Sequence, residues 1–127
     1  MSESVEREIK AIVKALSAVR MPAQPEEYDI HTQIAGALAK SGIDFEHEFR
    51  LAPRCRIDFR VGRVGIEVKK GRPVPSELAK QLGRYLASEE LDAAVVVMQR
   101  AVPLPGVISG KPVRVVSLNR LWGVALP

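Results

Sequence analysis

Apolar positions recur along this chain with two periods, and the change from one to the other outlines its elements. Val5, Ile9, Ile12, Val13 and Leu16 repeat at helical spacing, with Glu6, Arg7, Lys10 and Lys14 elsewhere on the wheel. That pattern predicts an amphipathic helix over about 3–19, capped by Ser2 or Ser4. Met21-Pro-Ala-Gln-Pro25 interrupts it with two prolines. Ile30, Ile34, Ala37 and Leu38 predict a second helix over 26–40, stopped by Gly42.

From residue 45 the period shortens to two. Phe45, His47, Phe49 and Leu51 alternate with Glu46, Glu48 and Arg50, which predicts a strand over 45–51. Ala52-Pro53-Arg54 turns the chain into a second strand over 55–61, and a third follows over 64–69. Helical spacing returns with Leu78, Leu82, Tyr85 and Leu86, giving a helix over 76–89 capped by Ser76, with Glu77 in its first turn. The continuous apolar run Asp92–Met98 then predicts a buried strand, parallel to the third and reached by a right-handed helical crossover. Pro103–Gly106 is a turn, 113–118 a last strand, and the apolar stretch 119–126 with Trp122 is expected to pack on the core or on a second subunit.

Gly62-Arg63 separates the second and third strands, and Gly at the first central position suits a two-residue type II′ hairpin. Pairing Val61 with Val64 puts Phe59 opposite Ile66 and Asp58 opposite Glu67. Lys69 projects on the Glu67 face, while Ile57, Phe59, Val61, Val64, Ile66 and Val68 form the core face. Facing carboxylates repel by roughly 0.2–1 kcal/mol in a sheet, and more when shielded from water. A divalent cation is the simplest compensation.

Asp58, eight intervening residues and then Glu67-Val68-Lys69 resemble the active-site signature of the PD-(D/E)XK nuclease superfamily. Gln81-Leu-Gly-Arg-Tyr85 is similar to the Q-x-x-x-Y element that follows it in RecB-like members. The resemblance covers about 27–98. It implies an α/β, restriction-endonuclease-like core with a mixed central sheet, namely a β-meander, a crossover helix and a parallel strand, flanked by helices. The activity implied is metal-dependent hydrolysis of phosphodiester bonds in DNA, most simply as an endonuclease. Asp58, Glu67 and the Val68 carbonyl would hold Mg²⁺, for which Mn²⁺ can substitute, and Lys69 would orient the attacking water. Glu27 on the preceding helix, with Glu26 as the fallback, would complete the metal shell, and Gln81 and Tyr85 would form a positioning layer. Glu26, Glu27 and Asp29 also have a purely local reading as negative charge at a helix N-terminus.

Composition agrees with one soluble domain over 1–127: a helix over 1–22, a core over 26–98 and a C-terminal strand and tail over 99–127. Hydrophobic residues are 46% and charged residues 27%; 19 Lys and Arg against 15 Asp and Glu give a net charge of +4. That excess favours approach to a polyanion such as nucleic acid, although so modest an excess is also common in proteins that bind none; DNA is the partner that the resemblance implies. Arg63, Lys70, Arg72 and Tyr85 are the candidate nucleic-acid contacts, and for the loop cations a solvated surface is the competing reading. Glu46 and Glu48 read as strand-face charges pairing with Arg56 or Arg60.

One cysteine, Cys55, excludes a disulfide framework and a cysteine-based zinc site, and is expected to be a small core residue. His47 is expected to be hydrogen-bonded and partly buried. His31 and His47 fall on different elements, so no histidine ligand spacing is present. No signal peptide and no run of 18 apolar residues occur, so membrane insertion is not expected and the cytoplasm is the expected setting. A homodimer would let two sites address two strands, and a targeting partner would supply specificity. The other reading is a non-catalytic nucleic-acid-binding or assembly module that keeps the nuclease fold.

Overall fold

The structure, a computed structural model, describes residues 3–19 and 26–118, and for residues 27 and 28 the backbone only. Three helices and six strands follow in the order α1 (Glu3–Leu16), α2 (Glu27–Lys40), β1 (Glu46–Ala52), β2 (Cys55–Val61), β3 (Val64–Lys69), α3 (Pro75–Leu86), β4 (Ala93–Met98), β5 (Val107–Ile108) and β6 (Lys111–Ser117). The strands form one mixed sheet in the order β1-β2-β3-β4-β6-β5. β1, β2 and β3 are an antiparallel meander, and β3, β4 and β6 run parallel. The chain is thus α/β, with the expected meander, crossover helix and parallel strand.

Each helix buries the stripe its periodicity marks. Ile9, Ile12 and Leu16 of α1 and Ile30, Ile34 and Leu38 of α2 are fully buried against Phe59, Val64, Ile66, Val68, Val95 and Val97. On the opposite face, Leu78, Leu82, Tyr85 and Leu86 of α3 pack on Ile57, Ala94, Val96 and Met98. Both faces of β3 and β4 are covered, which is why β4 is apolar throughout. Each fully buried aliphatic side chain contributes about 1.5–3 kcal/mol. Lys111 Nζ donates to the carbonyls of Leu86 and Ser88, at 2.8 and 3.0 Å, and holds the C-terminal end of α3 to the sheet.

The hairpin register is as the turn dictates. Gly62 takes φ 57°, Val61 pairs with Val64 and Phe59 with Ile66. Three other expectations change. Pro75 opens α3, where its missing N–H costs nothing, so Val74 rather than Ser76 is the cap. β6 begins at Lys111, two residues before 113, and pairs with the two-residue β5, too short to carry a periodic signal. Ile57 does not share a face with Phe59: it belongs to the α3 layer. The connector 21–25 and the segment 119–126 with Trp122 lie outside the described residues.

The change of face has a local cause. Glu48 takes φ 57°, and the β1–β2 register passes from His47–Phe59 to Phe49–Ile57 around it. On the Glu48 side nearer the hairpin, Phe45 and Phe59 belong to the α1/α2 layer; beyond it, Phe49, Leu51, Cys55 and Ile57 belong to the α3 layer. Regular alternation therefore breaks at Glu48 and, across from it, at Asp58. Ile57 then crosses β3 at Gly65, where a Cβ would lie 2.4 Å from Ile57 Cδ1 and 2.9 Å from Leu91 Cδ1. Gly65→Ala is expected to lower stability by about 1–3 kcal/mol through overpacking, read as a fall in the urea midpoint at unchanged m-value.

Candidate active site

The break in β2 aims Asp58 at the backbone of β3. The β2–β3 ladder runs through Val61–Val64, Arg60–Gly65 and Phe59–Ile66. Beyond it, the Val68 N–H donates to Asp58 Oδ2 at 2.7 Å. A residue's N–H and C=O leave a strand on the same side, so the Val68 carbonyl faces the same gap. Lys69 presents the opposite edge, its carbonyl accepting from Gln99 N–H at 3.1 Å.

Glu67 sits between the sheet and α3 and is only 3% exposed. Its Oε2 lies 3.3 Å from Lys69 Nζ and 3.2 Å from the Tyr85 hydroxyl. Gln81 Nε2 donates to that hydroxyl at 2.8 Å, so the Tyr85 proton is left to Glu67 Oε2 or to the Arg56 carbonyl at 3.2 Å. The helical spacing of Gln81 and Tyr85 produces this relay, since residues four apart lie one above the other. Glu67 Oε1 is buried without a hydrogen-bond partner.

Burial, and then the charge of Asp58, push the Glu67 carboxyl from its ordinary 4.5 up to about 8, with Lys69 opposing. Burial and the same two carboxylates raise the Tyr85 hydroxyl, which stays a neutral donor. A buried, orphaned carboxylate oxygen beside a second carboxylate is the environment a cation relieves. Among the described residues no group of three or more His, Cys, Asp and Glu is disposed to hold an ion. Two carboxylates, a backbone carbonyl and water nevertheless suit Mg²⁺, which binds through one or two carboxylates and keeps several waters. Asp58, Glu67 and Val68 fit that ion by their oxygen chemistry.

Of the remaining expected residues, Glu27 is the first residue of α2, and its side chain lies outside the description. The fallback, Glu26, accounts for itself locally: its N–H donates to Asp29 Oδ2 at 3.2 Å, and its carboxylate lies 3.6 Å from Lys70 Nζ. Arg63 is at the far end of the hairpin, paired with Asp92 at 2.7 Å and donating to the Glu89 carbonyl. It is therefore a brace for the β3–β4 connection and is not grouped with Lys69. Lys70 and Arg72 are exposed in the loop leaving β3. Tyr85 is 5% exposed and its hydroxyl faces Glu67 rather than solvent. Glu46 pairs with Arg60 at 2.6 Å and Glu48 with Arg56 at 3.7 Å, as strand-face charges.

One contact between two histidines was not foreseen from the sequence. His31 on α2 and His47 on β1 meet, Nδ1 to Nε2, at 3.0 Å, although they lie on different elements. His31 Nε2 lies 3.8 Å from Asp58 Oδ2, and His47 stacks on Phe59 with centroids 4.7 Å apart. The available signal was positional: His31 stands three residues before Ile34 on the buried stripe of α2, and His47 is opposite Phe59. His47 is hydrogen-bonded as expected but exposed, and Cys55 is half-buried rather than core. No protein-family model, curated protein or solved structure matches this chain.

Protonated Glu67 is favoured in the metal-free fold, so its stabilising contribution is complete below about pH 4.5 and is lost as pH rises through about 8. Glu67→Gln, a neutral near-isostere, should remove that dependence. With EDTA present, the variant is expected to match wild type near pH 4.5 and to exceed it by on the order of 2–4 kcal/mol above pH 8. Urea melts at the two pH values check this, and an equal difference at both would contradict it.

Proposed function

We propose that this chain is a metal-dependent nuclease that hydrolyses phosphodiester bonds in DNA, built on the restriction-endonuclease-like core of the PD-(D/E)XK superfamily. The observation that carries the reading is Glu67: a carboxylate buried at 3% exposure, one oxygen without a partner, beside Asp58 and 3.3 Å from Lys69. Burying such a group costs stability unless it is neutral or paired, and a domain without metal chemistry gains nothing evident from it. The order of meander, crossover helix and parallel strand, and the Gln81–Tyr85 relay, support the same reading.

Asp58, Glu67 and the Val68 carbonyl would hold Mg²⁺ or Mn²⁺, which would supply polarisation of a phosphoryl oxygen and acidification of water. Asp58 is held in place by the Val68 N–H, so its second oxygen is directed without a search over rotamers. Tyr85, itself held by Gln81, fixes Glu67 Oε2. Lys69 holds its ammonium 3.3 Å from Glu67 Oε2 on a half-buried stem, suited to orienting a water and to stabilising charge that develops on the phosphate. An oxygen-only ligand set and a fixed cationic donor are the requirements of hydrolysis at phosphorus, and no covalent nucleophile is called for.

The binding-module reading is favoured by one observation, the absence of a three-ligand cluster among the described residues. Cleavage separates the two. Wild type is expected to cut labelled single-stranded, duplex or branched DNA with Mg²⁺ or Mn²⁺ and not with EDTA, and Lys69→Ala to cut it roughly 10²–10³-fold more slowly. DNA that binds and stays intact under every metal condition would leave the binding module as the function.

A further inference from the structure

Behind the Tyr85 and Gln81 relay, on the α3 face of the sheet, lies a cavity of about 530 Å³ lined by Arg50, Arg54, Cys55, Arg56, Gln81, Arg84 and Tyr85. That volume falls within the roughly 300–1,000 Å³ of ligand sites. Four guanidinium-bearing side chains come from three elements: the end of β1, the β1–β2 turn with the start of β2, and α3. Arg56 lies 3.7 Å from the exposed Glu48 carboxylate. The side chains of Arg50, Arg54 and Arg84 make no ion pair or hydrogen bond among the described residues.

All four arginines are exposed around one concavity, and only Arg56 has a carboxylate within ion-pair distance, so the concavity carries an excess of positive charge open to an anion from solvent. The site is also conformationally costly, because Arg54 adopts φ 62° in a two-residue turn, a backbone state that glycine takes without strain. Planar guanidinium groups present paired N–H donors that match phosphate oxygens, and the Gln81 amide adds a polar group beside them.

We propose that this cavity is a phosphate-binding subsite, which receives a phosphate and its attached nucleotide from the strand whose scissile phosphate lies at Glu67. The identity of the polymer rests on the nuclease reading; the anion chemistry of the cavity does not. Tyr85 joins the two places, since it lines the cavity and its hydroxyl is 3.2 Å from Glu67 Oε2. The cavity therefore sets how the strand is held next to the metal-binding carboxylates, and it reads phosphate rather than base sequence.

Binding measured in EDTA tests the subsite without requiring catalysis. Fluorescence anisotropy would follow a 3′-labelled single-stranded oligonucleotide, bearing either a 5′-phosphate or a 5′-hydroxyl, with wild type, Arg54→Gly, Arg84→Gln and Lys14→Gln. Lys14 lies on α1, on the other face of the sheet, and matches the charge loss. Arg54→Gly also relieves the left-handed backbone, so it should melt no lower than wild type. Arg54→Gly and Arg84→Gln are each expected to weaken binding about tenfold and to lower the salt slope by about 0.7 for each phosphate no longer neutralised, with Lys14→Gln within twofold of wild type.

A loss confined to the 5′-phosphorylated strand identifies a terminal phosphate as the ligand, and an equal loss for both strands identifies an internal one. Binding by both arginine variants indistinguishable from Lys14→Gln would overturn the subsite. Weakened binding by a protein that never cuts DNA would keep the subsite and remove the nuclease; cutting at wild-type rate and affinity by both variants would do the reverse.

Discussion

Glu67 is the group around which the rest of the candidate site is arranged. A carboxyl enclosed by a sheet and a helix is tolerated only while its environment offsets the loss of water. Lys69 two residues along the strand, the Tyr85 hydroxyl above it and a raised proton affinity each do part of this. None satisfies Oε1, which stays buried without a hydrogen-bond partner. The same placement keeps Lys69 and Tyr85 near the carboxylate.

The sheet is bent to bring the second carboxylate to it. Were β2 regular, Ile57 and Phe59 would share a face and Asp58 would stand out as an ordinary strand residue. The irregularity at Glu48 transfers Ile57 to the α3 layer, and Gly65 leaves room for it. Asp58 is turned toward the gap where the β2–β3 ladder stops, and takes the Val68 N–H there. His31, held by His47 against Phe59, approaches the same carboxylate from α2, so both helical layers reach the site.

What could be read from the sequence was what local chemistry decides. The Gly62-Arg63 turn sets the hairpin register, and the register brings Asp58, Glu67 and Lys69 to one neighbourhood. The four-residue spacing of Gln81 and Tyr85, once placed on a helix, puts both above Glu67. The features that were not legible are those made by contacts between elements. A positive φ at Glu48 has no marker in Glu-His-Glu-Phe. The convergence of Arg50, Arg54, Arg56 and Arg84 depends on how α3 lies across the meander, and the meeting of His31 with His47 on how α2 lies on its other face. Cationic residues close in sequence to Lys69 drew the nucleic-acid surface to Arg63, yet Arg63 is engaged by Asp92 at the far end of β3.

Whether Asp58 and Glu67 together hold a divalent cation is open to direct measurement by electron paramagnetic resonance, following the free Mn²⁺ signal as folded wild type and Asp58→Asn are titrated. Wild type is expected to remove the free-ion signal saturably, and Asp58→Asn, folded to the same extent by circular dichroism, to leave most of the ion free. Mn²⁺ that stays free in the presence of folded wild type, or that both proteins bind equally well, would contradict a cation site built on these two carboxylates.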